Sequence, residues 1–194
     1  MPGRLFLSAA HAGALGLDDP VRWQEMAPGD AVPARIAQSA DLEPMRWGMI
    51  PVGRRNARGR PVMETIVNAR SETLFEKTAF EGTSRAAVPV TGWYEWTGKP
   101  RRKTRWAITD GQGAPLWLAA IWDIWSAPGG HEVRSLATVT TEPNADVEPV
   151  HHRMPLVLGP NEVALWLGAD PEAARAVMRP LDVGRLRVAQ APET

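Results

Sequence analysis

The sequence predicts an α+β fold, mainly antiparallel, in one domain spanning residues 1–194. Three observations point there. A chain of 194 residues fits one domain, or at most two small ones. Strand-like runs outnumber helical stretches. The 18 prolines and 17 glycines are scattered, which cuts the chain into many short elements.

The strand-like runs lie at 4–9, 31–37, 44–50, 86–97, 105–109, 115–125, 134–141, 155–158 and 186–190. "RLFLSAAHAGALGL" has the outline of a secretory leader, but His11 breaks its apolar run and its flank carries one basic side chain, which argues against secretion. "PLWLAAIWDIW" is nearly all apolar and reads as a central strand buried on both faces. "SETLFEKTAF" (71–80) reads as a helix capped by Ser71, with Leu74, Phe75 and Ala79 on one side. "GPNEVALWLGAD" (159–170) and "DPEAARAVMRP" (170–180) read as two short helices, with Pro160 and Pro171 in first-turn positions.

Composition is that of an ordinary globular protein, with 44% hydrophobic and 23% charged residues. No stretch approaches the ~18 apolar residues that span a bilayer, so no membrane partner is expected. With no cysteine, disulfides, thiolate metal sites and a cysteine nucleophile are excluded, and the cytoplasm is the expected location. Net charge is zero, yet basic residues cluster at Arg54, Arg55, Arg58 and Arg60, and again at Lys99, Arg101, Arg102, Lys103 and Arg105. Such clusters describe either a polyanion-facing surface or two solvated loops.

Several stretches carry candidate chemistry. Of nine tryptophans, Trp117, Trp122 and Trp166 read as core, while Trp47, just before the arginine-rich loop, is placed on a base-stacking platform. In "TGWYEWTG", Trp93 and Glu95 share one strand face, with Tyr94 and Trp96 on the other. A carboxylate held against tryptophan loses hydration, and its pKa rises toward that of a general acid/base; the alternative is a solvent-facing glutamate. In "PVHHRMPLVL", adjacent His151 and His152 point to opposite sides and no H-x-H or H-E-x-x-H spacing exists, so no metal is expected. A proton-transfer histidine, or one core and one solvated histidine, are the readings left. "IVNARSET" places Asn68 and Arg70 at a strand end, where Asn68 can accept from an amine and Arg70 can hold phosphate. Pro2, once Met1 is removed, is a secondary amine with a pKa near ~8 that can attack an aldehyde.

These pieces occur in one order: x-G-R at the start, N-A-R-x-E at 68–72, G-W-Y-E-W at 92–96 and H-x-R-M-P at 151–155, with "MAPG" (26–29) and "RWGMIP" (46–51) between. The order resembles the SOS-response-associated peptidase (SRAP) family, the abasic-site processing proteins. The motifs span residues 2 to about 158, leaving 159–194 to the last helices and strand. The resemblance implies a barrel-like antiparallel core with a few short helices. It implies binding of single-stranded DNA that carries an abasic site, without cofactor or metal, and work at the nucleoid. It assigns Asn68, Glu95 and His151 to catalysis beside residue 2, and Gly3, Arg4, Arg70, Thr140 and Arg153 to DNA contact. The peptidase label implies self-removal of Met1 or of a short leader.

The sequence departs from the family at the decisive position. The family's residue 2 is a cysteine, whose amine and thiol close a thiazolidine on the abasic aldehyde. Here it is Pro2, and Glu25 stands where an asparagine is expected before the A-P pair. A lasting crosslink is therefore not expected. The readings that stand are a transient iminium with elimination of the 3′ phosphate, a single-stranded DNA-binding module that has lost catalysis, and action on another small aldehyde or a peptide bond.

Overall fold

The computed structural model describes residues 2–52, 58, 64–99, 101–126 and 129–192. In chain order its strands and α-helices are β1 (Arg4–Phe6), α1 (Ala9–Ala14), β2 (Ala31–Ile36), β3 (Glu43–Trp47), β4 (Asn68–Arg70), β5 (Ser84–Val90), β6 (Gly92–Lys99), β7 (Arg102–Asp110), β8 (Leu116–Ser126), β9 (Glu132–Thr141), β10 (Met154–Pro155), β11 (Val157–Leu158), α2 (Glu162–Leu167), α3 (Pro171–Ala176) and β12 (Leu186–Gln190). The α+β class expected from the sequence is the one observed.

Five strands close a barrel. β2 pairs antiparallel with β3 and β5, β5 with β8, and β8 with β9, and a parallel contact between β3 and β9 completes the ring. Closure leaves these strands without a bare edge. A second, antiparallel sheet runs β1-β6-β7-β12. The even-numbered core residues of β2, β5 and β8, such as Val32, Val88 and Leu118, pack in one cluster with Leu5, Trp93 and Ile108 of the second sheet. Odd-numbered ones of β5 and β8, such as Ala87 and Ile121, pack with Val139 of β9, Trp166 of α2 and Ala174 of α3. β8 contributes to both clusters, which is why its sequence is continuously apolar rather than alternating.

The structure departs from the sequence expectations at four places. The run 86–97 divides at Thr91, whose amide donates to the Phe6 carbonyl at 2.8 Å. The chain there leaves the barrel for the second sheet, and a Cβ on Gly92 would lie 2.1 Å from the Ile108 carbonyl oxygen, so only glycine fits. Residues 71–80 form two 3-10 turns, Ser71–Thr73 and Thr78–Phe80, instead of a helix. Ser71 makes no side-chain cap, and Phe75 is 38% exposed, so no apolar stripe is buried to sustain a longer helix. Strand 4–9 gives way after Phe6 to α1, capped by the Ser8 hydroxyl accepting from the His11 amide at 3.2 Å. Pro171 opens α3, but α2 starts at Glu162, past Pro160.

Candidate active site at the end of strand β9

β9 gathers two motifs that are far apart in sequence. Its last residues lie between β4, paired in parallel (Asn68 to Thr138, Arg70 to Thr140), and β10, paired antiparallel (Pro155 to Thr140, Met154 to Thr141). The Thr138 hydroxyl donates to Asn68 Oδ1 at 2.6 Å, which fixes the orientation of the amide. Arg153 reaches back across the strand end. Its guanidinium donates to both oxygens of Glu72, at 2.6 and 2.9 Å, and to the Thr140 carbonyl at 2.7 Å. That ion pair holds the Glu72 carboxyl below its ordinary range. Arg70, by contrast, is exposed.

His151 sits three residues before β10, partly buried, with its ring stacked on His152 at 4.4 Å. Its Nδ1 lies 3.0 Å from both the amide nitrogen and the carbonyl oxygen of Arg153. The neutral ring can accept from that N–H, and a protonated Nδ1 can donate to that carbonyl, so gain or loss of a proton costs no hydrogen bond. Burial pushes its pKa down, and the amino-terminal charge pushes the same way, which favours the neutral base.

Glu95 is on β6, 3% exposed. Trp93 precedes it by two residues on the same face, and Trp106 of β7 is its cross-strand partner. Burial among these rings pushes its carboxyl up to about 7, while the positive charge of the amino terminus pulls it down. The same terminus acts on His151, so one amine is common to both groups. The register explains the placement: β1 pairs with β6 at Arg4 to Tyr94 and Leu5 to Trp93, which leads the chain start alongside Glu95. Pro2 is buried, and a Cβ on Gly3 would come within 3.2 Å of the Trp96 ring.

Two expected DNA contacts are corrected by burial. Trp47 is fully buried and its indole N–H donates to the Val67 carbonyl at 3.2 Å, so it cannot stack on a base. Thr140 is fully buried, and its hydroxyl donates to the Ala69 carbonyl at 3.3 Å, so it holds the strand end rather than a ligand. Four further residues support the site, of which the sequence reading passed over Thr138 and Glu72, met Glu25 only as a departure from a motif and counted Arg105 only in a basic cluster. Thr138 and Glu72 are described above; Glu72 lies inside the N-A-R-x-E motif and was visible there. Glu25 pairs with Arg105 at 2.6 Å and with Arg4 at 3.5 Å. Arg105 in turn lies 3.6 Å from the centroid of the Tyr94 ring. Glu25 and Arg105 are 80 residues apart, and no local signal links them. Of the first arginine cluster, Arg54, Arg55 and Arg60 lie outside the described residues, and Arg58 is exposed. Among the described residues no group of side chains is arranged to hold a metal, and no helix is long and apolar enough to cross a membrane.

The architecture defines a class: a closed five-stranded barrel with a second sheet that carries the amino-terminal strand to the barrel's site. The chain belongs to the SOS response associated peptidase (SRAP) family, whose model matches residues 15–193. The match begins after Pro2 and leaves that position unaligned. The chain is 29% identical over 156 residues to the abasic site processing protein YoqW of Bacillus subtilis, covering 77% of this chain and 68% of that one. It is 28% identical over 173 residues to the abasic site processing protein HMCES of Gallus gallus, of which it spans 52%. Among solved structures, a protein from Bacteroides thetaiotaomicron superposes with a TM-score of 0.82 at 22% identity, over 98% of this chain and 92% of that one. A protein from Bordetella bronchiseptica superposes with a TM-score of 0.72 at 25% identity, over 88% of each. The fold is shared with both.

Proposed function

We propose that this chain is an abasic-site processing protein that binds single-stranded DNA and reacts with the abasic aldehyde through the amine of residue 2. The names of its relatives support the substrate, and one observation carries the chemistry. Glu95 is a buried carboxyl with a pKa of about 7, raised by burial. A group balanced between its two forms near neutrality is what proton transfer at physiological pH requires.

The chemistry needs Met1 to be removed, since an acylated Pro2 nitrogen is an amide. The freed amine attacks C1′ of the ring-opened sugar. Protonated Glu95 gives its proton to the carbinolamine oxygen, water leaves, and an iminium forms. Neutral His151 takes a proton from C2′, the C3′–O bond breaks, and the 3′ phosphate departs with the electron pair. Water then hydrolyses the iminium and returns the amine. Asn68, held by Thr138, orients the amine. Arg4, Arg70 and Arg153, with Gly3 allowing close approach, serve the phosphates. Arg4 and Arg153 are held by Glu25 and Glu72, so phosphate joins or displaces a carboxylate there. Without a thiol at residue 2, no thiazolidine closes and the adduct is transient.

The test is the intact mass of the protein before and after incubation with abasic single-stranded DNA, with and without borohydride. Loss of Met1 and a reduced adduct only with borohydride are expected. Absence of an adduct on the Met1-processed protein overturns the reaction, and binding without an adduct leaves a module that recognises damaged DNA without chemistry.

A further inference from the structure

We propose that the tip of the β6–β7 hairpin is a second DNA contact, gripping phosphates about two to four nucleotides from the abasic site. The proposal rests on the abasic-site reading above. Lys99, Arg101, Arg102 and Lys103 are all exposed at this tip. Their side chains have no ion pair or hydrogen bond among the described residues. Several arginines elsewhere are matched, Arg4 and Arg105 by Glu25, Arg134 by Glu43, Arg153 by Glu72, Arg179 by Glu162 and Arg185 by Asp110, whereas Arg22, Arg70 and Arg187 stand singly and not in a cluster. In a chain of zero net charge, four cations without a counter-charge on one turn form a local field that a polyanion would neutralise.

The register says which way the field faces. Lys99 pairs with Arg102, Thr97 with Thr104 and Glu95 with Trp106. Paired residues share a face, and residues two apart along a strand share it too. Lys99 and Arg102 therefore stand on the face that carries Glu95, whereas Lys103, opposite Gly98, stands on the other. Four residues at ~3.3 Å each put Lys99 about 13 Å from Glu95 along β6. That span matches about four phosphates of a strand stacked as in B-form DNA, at ~3.4 Å per nucleotide, and about two of an extended single strand, at roughly twice that spacing. The tip is also held in shape: Arg101 has φ of 69°, and a Cβ on Gly98 (φ 98°) would meet the Arg102 carbonyl oxygen at 2.4 Å. Continuity with the face of Glu95 selects nucleic acid over an anionic membrane or an acidic protein.

The experiment uses the whole chain and two single-stranded DNAs carrying a tetrahydrofuran abasic analogue. The flanks end about one nucleotide from the lesion in one and about eight in the other, on either side of that reach. Binding is followed by fluorescence anisotropy across a salt series. Wild type should bind the longer DNA more tightly. Lys99→Gln/Arg102→Gln should weaken that binding about tenfold and make its salt slope shallower by about 1.4, from two lost contacts at ~0.7 each. Binding of the shorter DNA, and Tm, should not change, and Lys103→Gln should match wild type on both DNAs. A double variant equal to wild type on the longer DNA, or weakened equally on both, overturns the proposal while the abasic-site reading stands. If wild type binds neither DNA, that reading fails and the hairpin contact falls with it.

Discussion

Replacing Glu95 with glutamine should stabilise the protein at neutral pH and stop its reaction. Burial raises the Glu95 carboxyl from 4.5 to about 7. At ~1.36 kcal/mol per pKa unit, that difference corresponds to about 3 kcal/mol. The sign follows from proton counting. Between pH 4.5 and 7 the folded protein keeps a proton that the unfolded chain has released. Stability is thus fully present below 4.5, falls as pH rises through that window, and reaches its lower plateau above about 7. Glutamine has the same shape and no proton to lose, so the variant should lack this fall. For a chain of this size, ~2–4 °C per kcal/mol converts the difference to about 6–12 °C in Tm. Thermal melts from pH 5 to 7.5 on both proteins measure it. The curves should lie close together at the acid end and separate by that amount at the neutral end. Parallel curves would show that Glu95 is not held protonated by burial, and the acid/base role assigned to it would go with them. Borohydride trapping by the variant should be lost over the same range.

Three further outcomes test other parts of the site. On Met1-processed protein, Pro2→Cys should give an adduct with abasic single-stranded DNA that survives without borohydride; if none forms, amine and aldehyde do not meet in this pocket. Thr138→Val removes the hydrogen bond that orients Asn68, and should slow trapping about tenfold, the loss expected for about 1.4 kcal/mol of positioning, with DNA affinity unchanged. An unaltered trapping rate there would remove Asn68 from the mechanism. Trp47→Ala should lower stability by about 3–5 kcal/mol in denaturant unfolding, whereas Trp47→Leu, which fills the core without an aromatic ring, should leave DNA affinity where it is. A loss of about 1–3 kcal/mol of binding in the leucine variant would restore Trp47 to a stacking role.

The strands were legible because each is apolar on at least one face and ends at a turn residue. β8 announced burial on both faces, and the two clusters it serves account for that. What escaped the sequence was contact between distant segments. The break at Thr91 looks like more strand, because only the crossing of β5 out of the barrel and the approach of Ile108 to Gly92 explain it. α1 is short and made of alanine, glycine and one histidine, so no apolar stripe reveals it. Of the site, Glu95 could be read in its tryptophan neighbours, since burial by rings is written along the strand. Trp47 misled for the converse reason. Its position beside an arginine-rich loop suggested exposure, but its side chain points into the barrel. Glu25 was noticed only as a departure from a motif, and its role as partner to Arg4 and Arg105 needed the fold.

The double pairing of β9 has a further consequence. Asn68 and Arg70 on one flank, and Met154 and Pro155 on the other, are all indexed to residues 138–141. β9 works as a jig, setting the spacing of both motifs without reference to the lengths of the segments that lead to them. Changes of length in the segments that lead to them can be absorbed while the alignment of Asn68 with the 151–155 segment is kept. Loop grafting between family members should therefore leave that alignment in place, provided β9 is left untouched.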